Sequence, residues 1–320
     1  MKILITGSNG YLGSILKREL NNHSIIENDI NIYNKKINFK NTFLNIHNKI
    51  LKKTDVIIHL AGLSTNYDPP DEIYKKIAFK VNSTDAYNFA KKAKKNRVKK
   101  FIFASSASVY GNFKGKNATE NSILKPTTSY AKSKRKAEQK ILKLADKNFK
   151  VIIFRMVTLY GYSSRMRFDV LINNLALNYI KSNKIILKSN GKLIRPQIHV
   201  MDVVQFYQQA IENNKIKSQI INIGRQDYNI NILKMAKKIA KKFNCSLNVG
   251  EQDVDQRSYK VSFKKQNKIF KKINFKRSLS YSFYEIIKNF KKKHNFEKNE
   301  YYNLKTLQKL KEKKLLKYLL

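Results

Sequence analysis

Apolar residues in this chain follow two rhythms. Short, nearly unbroken runs of Ile, Leu, Val and Phe occupy residues 2–6, 24–27, 55–60, 100–105 and 150–155. Between them lie longer stretches, 11–20, 71–96 and 129–148, whose apolar positions return every three or four residues. Runs of the first kind predict strands covered on both faces, and the second period predicts amphipathic helices. Strands alternating with helical crossovers of this length predict a parallel, doubly wound sheet, an α/β fold. A short piece at 42–44 predicts one further strand. Past residue 159 the pattern loosens into loops. It predicts helices at 169–182, 201–213, 231–244 and 280–294, and strands at 184–187 and 220–223. The Leu/Tyr spacing of 295–320 predicts a last helix with no function attached to it. No internal repeat or linker is visible, so the second half is expected to pack on the first.

Three of the ten glycines, Gly7, Gly10 and Gly13, fall within seven residues directly after the run Lys2-Ile3-Leu4-Ile5-Thr6. Glycine is required where backbone turns with positive φ or where a ligand approaches the main chain closely. A strand, a glycine turn and a helix opening at Tyr11-Leu12 describe a phosphate-binding corner, with free N–H groups and the positive helix end facing a pyrophosphate. The spacing Gly-x-x-Gly-x-x-Gly differs from the more familiar Gly-x-Gly-x-x-Gly.

Composition changes this picture little. With 320 residues the chain buries a real core, and its longest apolar runs fall short of the ~18 residues of a membrane span. The chain enters a strand at once, without signal-peptide organisation, and its one cysteine, Cys245, excludes an internal disulfide. Both features predict a cytoplasmic protein. The five histidines are scattered without ligand spacing, so no metal is expected. A formal charge of +44 invites a nucleic-acid partner, but only ten of the 66 basic residues are arginine. Lysine and asparagine run the whole length rather than marking a patch, which reads as compositional bias and predicts no specific nucleic-acid binding. The arginines are then the exceptions worth following. Five of them, at 155, 165, 167, 195 and 257, fall in a few stretches between residues 155 and 257, and arginine offers phosphate a planar fork that lysine lacks.

Candidate chemistry gathers at three places. Tyr130-Ala131-Lys132-Ser133-Lys134 sets Tyr130 and Lys134 at i and i+4 on one helix face. An ammonium beside a phenol is expected to lower the phenol's pKa from about 10 towards neutrality, as a base at pH 7 requires. The strand at 100–105 runs into Ser105-Ser106-Ala107-Ser108-Val109-Tyr110-Gly111, which brings hydroxyls to the carboxyl edge of a parallel sheet, where such folds bind ligands. Another strand ends in His59-Leu60-Ala61-Gly62, small enough for backbone to approach a cofactor.

With these motifs in this order, residues 1 to about 290 resemble the extended short-chain dehydrogenase/reductases of the NAD-dependent sugar-nucleotide epimerase/dehydratase family. The resemblance implies a Rossmann-like domain binding NAD over 1–160. It also implies a smaller carboxyl-terminal domain binding a nucleotide sugar over 161–320, with 198–224 returning to the sheet. Gly7, Gly10 and Gly13 would cradle the pyrophosphate, with Asn9, Tyr11 and Leu12 of the same loop, and Leu60, Ala61, Gly62 and Asn82 would line the cofactor. Ser106 matches the catalytic Ser/Thr, Tyr130 the base and Lys134 the lysine that holds the nicotinamide ribose. The run from Arg195 to Asp202 resembles the family's Arg-x-x-Ile-His-Val-x-Asp, whose arginine meets the substrate diphosphate. Asn174 and Arg257 resemble further nucleotide-sugar contacts, and Asn222-Ile223-Gly224 a late strand ending. Arg165-Met166-Arg167-Phe168-Asp169 resembles branches that handle less usual sugars. A homodimer through the helices at 71–96 and 129–148 is the family's arrangement.

The departures are informative. The acidic residue for the adenosine ribose is Glu27 or Asp29, with Glu27 preferred on the run Ile25-Ile26. Either carboxylate repels a 2′-phosphate and favours NAD over NADP, although Lys35 and Lys36 lie close by. Where the family often has Asp-Ile at the adenine, this chain has Asn45-Ile46, and where epimerases often have Asn near the sugar it has Thr158. Dehydratases of the family resemble one another in an Asp-Glu pair that here is Ala107 and Ser108. The first expectation is therefore a C4 epimerase of a nucleotide sugar. A 4-dehydrogenase or 4-ketoreductase comes second. A catalytically silent NAD-binding sensor or RNA-binding Rossmann protein comes third.

Overall fold

The computed structural model describes residues 1–33, 36–65, 71–251, 257–290 and 293–320. Ten strands occur among these: β1 Lys2–Thr6, β2 Ser24–Asn28, β3 Val56–His59, β4 Lys100–Ser106, β5 Lys150–Met156, β6 Thr158–Tyr160, β7 Lys184–Leu187, β8 Gln197–His199, β9 Gln219–Ile223 and β10 Ser246–Val249. Six form one wholly parallel sheet in the order β2-β1-β3-β4-β5-β9. The pleat sends alternate residues to opposite faces, and two separate cores result. Ile3, Ile5, Ile58, Ile102 and Phe154 face one layer, and Leu4, Ile57, Phe101, Phe103 and Ile153 the other.

Helices cover both faces. They are α1 Gly13–Glu19, α2 Asn48–Lys52, α3 Glu72–Phe79, α4 Ala86–Lys95, α5 Ser129–Leu142, α6 Leu171–Ser182, α7 Val200–Glu212, α8 Ile232–Phe243, α9 Lys264–Ile269, α10 Leu279–Asn289 and α11 Asn303–Glu312. α1 and α7 bury Leu16, Val203 and Phe206 on one side, whereas α4 and α5 bury Phe89, Ala93, Ala137 and Ile141 on the other. This is the doubly wound arrangement the apolar runs predict. Two smaller parallel pairs, β6 with β8 and β7 with β10, belong to the second half.

Three local expectations need correction. The stretch 42–44 is not a strand: residues Phe39–Asn41 and Phe43–Asn45 form two 3₁₀ turns. The Asn38 side chain accepts from Lys40 N and opens the first of them, and Phe43 turns inward against His59 and Phe89. The helix expected over 71–96 is interrupted by a π turn at Lys80–Asp85. The helix expected over 280–294 ends at Asn289, and part of that range lies outside the described residues. Lys35 lies outside them as well, and Lys36 is exposed.

Candidate active site

The carboxyl ends of β1, β3 and β4 open into one cleft of about 430 Å³. Gly7 leaves β1 with φ +72°, and a Cβ there would stand 2.8 Å from Ala61 N. At Gly13, the first residue of α1, a Cβ would lie 2.1 Å from Gly7 O. Side chains at these positions would fill the cradle and force the helix off the loop, which is why the glycines cluster there. Gly7, Gly10, Tyr11, Leu12, Gly13, Leu60 and Gly62 line the cleft, and Ala61 lines the adjoining cavity. Tyr11 is anchored at its far end, where its hydroxyl donates to Gly161 O at 2.6 Å and accepts from Asn173 at 3.1 Å. His59, one residue earlier, does not line the cleft. It is buried among Phe43, Phe89, Phe101 and Phe103 with Nδ1 2.7 Å from Thr6 Oγ1, and burial lowers its pKa to about 3.

The π turn has a purpose here, as such turns often do at working sites. It aims Asn82 at the chain after Gly62: Oδ1 accepts from Leu63 N at 2.8 Å, and Nδ2 donates to Leu63 O at 2.9 Å and to Ser133 Oγ at 3.2 Å. A Cβ on Gly62 would meet Asn82 Oδ1 at 2.9 Å and Lys134 Nζ at 3.3 Å. Asn82 thereby couples the turn after β3 to α5.

Helix α5 begins at a Thr128 cap, whose hydroxyl accepts from Ala131 N, and brings Tyr130 and Lys134 to the cleft. Ser106 ends β4, and its Oγ accepts from Ser108 N at 3.2 Å. The electrostatics differ from the expectation. Lys134 Nζ donates to Ala104 O at 2.8 Å and sits 4.7 Å from the Phe103 ring and 5.9 Å from the Tyr130 ring centroid. Burial lowers its pKa to about 8. The Tyr130 phenol is raised, not lowered, because desolvation outweighs the pull of the Arg167 charge, the Ser106 hydrogen bond and the Arg257 charge. The cation that acts most strongly on Tyr130 is thus Arg167, which came from far along the chain, rather than the lysine one turn away.

Four of the five singled-out arginines share this cleft: Arg165, Arg167, Arg195 and Arg257. Arg167 forks onto Asp169, with Nε to Oδ1 at 2.9 Å and Nη2 to Oδ2 at 3.0 Å. Arg165 lies over the Tyr33 ring at 3.7 Å and donates to Asn303 Oδ1 at 2.5 Å. Asp169 is the only carboxylate among the described residues that line the cleft. Such a surplus of fixed positive charge suits a dianionic diphosphate. The fifth, Arg155, is elsewhere: it is buried against Glu138 beneath the cleft. Thr158 lines the cleft too, and so do Ser108, Gln197, Tyr259 and Asn303, which the sequence reading did not select. Ser108 had a signal, being two residues from Ser106 in the same motif. Asn303 had none.

At the other end a second cavity of about 180 Å³ continues from Gly7 and Gly10 past Asp29, Phe43 and Leu44. Here the preference for Glu27 is corrected. Glu27 is half-exposed and paired with Lys17 at 2.7 Å, whereas Asp29 lines the cavity. Asp29 accepts from Asn9 N at 2.9 Å and from Asn31 N at 2.7 Å, and burial raises its pKa. Asn9 itself is tied to this loop through Asn31 and Lys17 rather than lining either cavity. Asn45 and Ile46 are displaced by the 3₁₀ turns: Asn45 is exposed and donates to Lys40 O, and Ile46 is buried in the core. Phe43 and Leu44 take their place on the cavity wall. Asn174, on α6, does not line the cleft either: its Nδ2 donates to Phe168 O at 3.1 Å. No helix among the described residues is long and apolar enough to cross a membrane.

Residues 3–224 match the model of the NAD dependent epimerase/dehydratase family. A dTDP-D-glucose 4,6-dehydratase of Dictyostelium discoideum is 32% identical over 277 residues, spanning 74% of this chain and 61% of that protein. A UDP-glucose 4-epimerase of Vibrio cholerae is 25% identical over 264 residues, 74% of each chain. Among solved structures, the UDP-glucuronic acid 4-epimerase of Bacillus cereus in complex with UDP-glucuronic acid and NAD superposes with TM-score 0.75 at 22% identity, covering 91% of this chain and all of that one. The chain belongs to the NAD dependent epimerase/dehydratase family, whose members are enzymes, and its cofactor is NAD.

Proposed function

Within that family, we propose that this chain is a C4 epimerase of a nucleotide sugar. The observation that carries the reading is the poverty of carboxylates in the cleft. Expelling water from a sugar needs an acid and a base beside C5 and C6. Among the described lining residues only Asp169 is acidic, and it is held by Arg167, while Ala107 and Ser108 stand where dehydratases carry their pair. Reversible oxidation at C4, with NAD taking the hydride, needs from the protein only a hydroxyl and a phenol.

NAD, when bound along Gly7–Gly13, Asp29 and Gly62, supplies the hydride acceptor and donor. Tyr130 Oη takes the proton of the 4-hydroxyl and later returns it. Ser106 Oγ holds the same oxygen as it becomes a carbonyl. Lys134, fixed by Ala104 O, keeps its ammonium beneath the site and holds the ribose, and Arg167 and Arg257 favour the phenolate. Arg195 and Arg257 hold the diphosphate, and small Thr158 and Ser108 leave the sugar room to present its other face. The family resemblance supports a homodimer through α3 to α5 and the division into cofactor and substrate halves near residue 160.

An epimerase returns the hydride it takes, so turnover is expected without added nicotinamide. The purified protein, offered a panel of UDP-, GDP-, CDP- and dTDP-sugars, should yield C4 epimers by NMR. Consumption of free NAD matched to product would favour the dehydrogenase or ketoreductase reading, and a 4-keto-6-deoxy product would overturn the argument from carboxylates.

Arg195→Ala is expected to weaken nucleotide-sugar binding by about 1.5–3 kcal/mol, as for a charge-assisted hydrogen bond left unmade. Lys at 195 restores charge but not the fork and should recover part of the loss. Titration calorimetry checks this against Lys237→Ala/Lys241→Ala, which lie on the exposed face of α8. Lost affinity in the lysine variant with none lost in Arg195→Ala would move the diphosphate elsewhere.

A further inference from the structure

The carboxyl-terminal segment past residue 293 lies beyond the family match, yet it folds back over the cofactor half. Leu307 and Leu310 of α11, with Leu316 and Leu319 of the final 3₁₀ turn, are buried against Ile32, Leu63, Tyr74 and Ile77. Lys311 pairs with Asp71, the cap of α3, and Tyr318 stacks on Phe39 with ring centroids 5.1 Å apart. Two contacts reach the binding surfaces themselves. Tyr318 and Leu319 form part of the wall of the 180 Å³ cavity that holds Asp29, Phe43 and Leu44. At the other end of the segment, Asn303 donates to Ser64 O at 2.7 Å, accepts from Arg165, and its N–H donates to Asp169 at 3.3 Å.

We propose that this segment is a clasp for the dinucleotide: Tyr318 and Leu319 close the adenosine end of the groove, and Asn303 fastens the same segment to the Arg165–Asp169 stretch beside the reacting end. The cavity walls fit that occupant. Phe39, Phe43, Leu44 and Leu319 offer apolar contact for a purine, and Asp29 lines the same cavity with Gly7. A clasp of this kind slows release by requiring the segment to lift, at the cost of exposing four buried leucines. The inference rests on the reading of this groove as the dinucleotide site, and it gives the groove a structural reason for slow release.

The test measures release of NAD from the NAD-loaded full-length protein by rapid filtration, so that activity is not the readout. Tyr318→Ala and Leu319→Ala are each expected to speed release about fivefold or more through lost apolar contact. Affinity for AMP should fall in parallel while that for nicotinamide mononucleotide stays unchanged, because the altered wall touches only the adenosine end. Lys313→Ala, exposed on the same segment, should behave as wild type. Tyr318 is 58% exposed, so its truncation tests the wall even if Leu319→Ala fails to fold. Unchanged release in Tyr318→Ala overturns the clasp, and so does an equal loss of both mononucleotides, which marks general loosening. Stoichiometric use of free NAD would sink the epimerase reading alone, since the clasp is judged by release rates and mononucleotide affinities.

Discussion

Tyr130→Phe is expected to lower turnover about 10³-fold or more, the scale of a lost general base. The ring still packs, but no hydroxyl remains to take the proton of the sugar. Binding should survive, because Lys134 and the arginines of the cleft are untouched, so NAD content and nucleotide-sugar affinity should match wild type. Turnover of the Phe variant within about tenfold of wild type would remove Tyr130 from the mechanism. Lys134→Met should be nearly as damaging and should also loosen the cofactor. Burial raises the Tyr130 phenol, and the charges of Arg167 and Arg257 and the Ser106 hydrogen bond oppose that rise.

Arg155→Met is expected to cost about 3–5 kcal/mol of stability, the penalty for leaving a buried charge without its partner. Arg155 and Glu138 are 3% and 1% exposed, with Nε to Oε1 at 3.0 Å and Nη2 to Oε2 at 2.8 Å. The Ser105 hydroxyl also donates to Glu138, while Arg155 Nη1 reaches the Tyr110 hydroxyl at 3.1 Å and Glu120 O at 3.2 Å. Tyr110 in turn donates to Asn222 Oδ1 at 2.7 Å, so the pair ties β4, α5, β5 and β9 together beneath Ser106. Urea unfolding of Arg155→Met against Arg155→Met/Glu138→Leu checks the cause. Removing both charges should restore most of the loss, since an apolar pair of similar volume needs no compensation. A double variant as unstable as the single one would show that packing, not the orphaned carboxylate, is responsible.

Arg155 also marks where sequence reasoning stops. By composition alone it belongs with Arg165, Arg167, Arg195 and Arg257, since all five are arginines in a lysine-rich chain. The structure separates them by where their strands and loops lead. Arg155 lies inside β5, with its partner on α5, and the other four lie in segments that border the cleft. Local sequence carries no record of a partner 17 residues away on another element. Glu27 and Asp29 show the same limit at shorter range. They are two residues apart at the end of one strand, yet Asp29 meets the Asn9 and Asn31 amides at the cavity while Glu27 meets Lys17.

What the chain's own order determined is the part governed by neighbours in sequence. Apolar runs and helical periods are read within a dozen residues, and they led to the parallel sheet, its two faces and the carboxyl edge where ligands bind. The glycine cradle and the Tyr130–Lys134 spacing were legible for the same reason, because a turn and a single helix face are local geometry. Only the tertiary structure decided which charges lie near Tyr130, which carboxylate lines the second cavity and where residues 295–320 pack. Those depend on contacts such as Arg165 with Asn303 and Phe39 with Tyr318, between segments more than a hundred residues apart. Burial, which shifts a pKa or rewards a leucine, is a property of the folded surroundings and has no counterpart in the order of the residues.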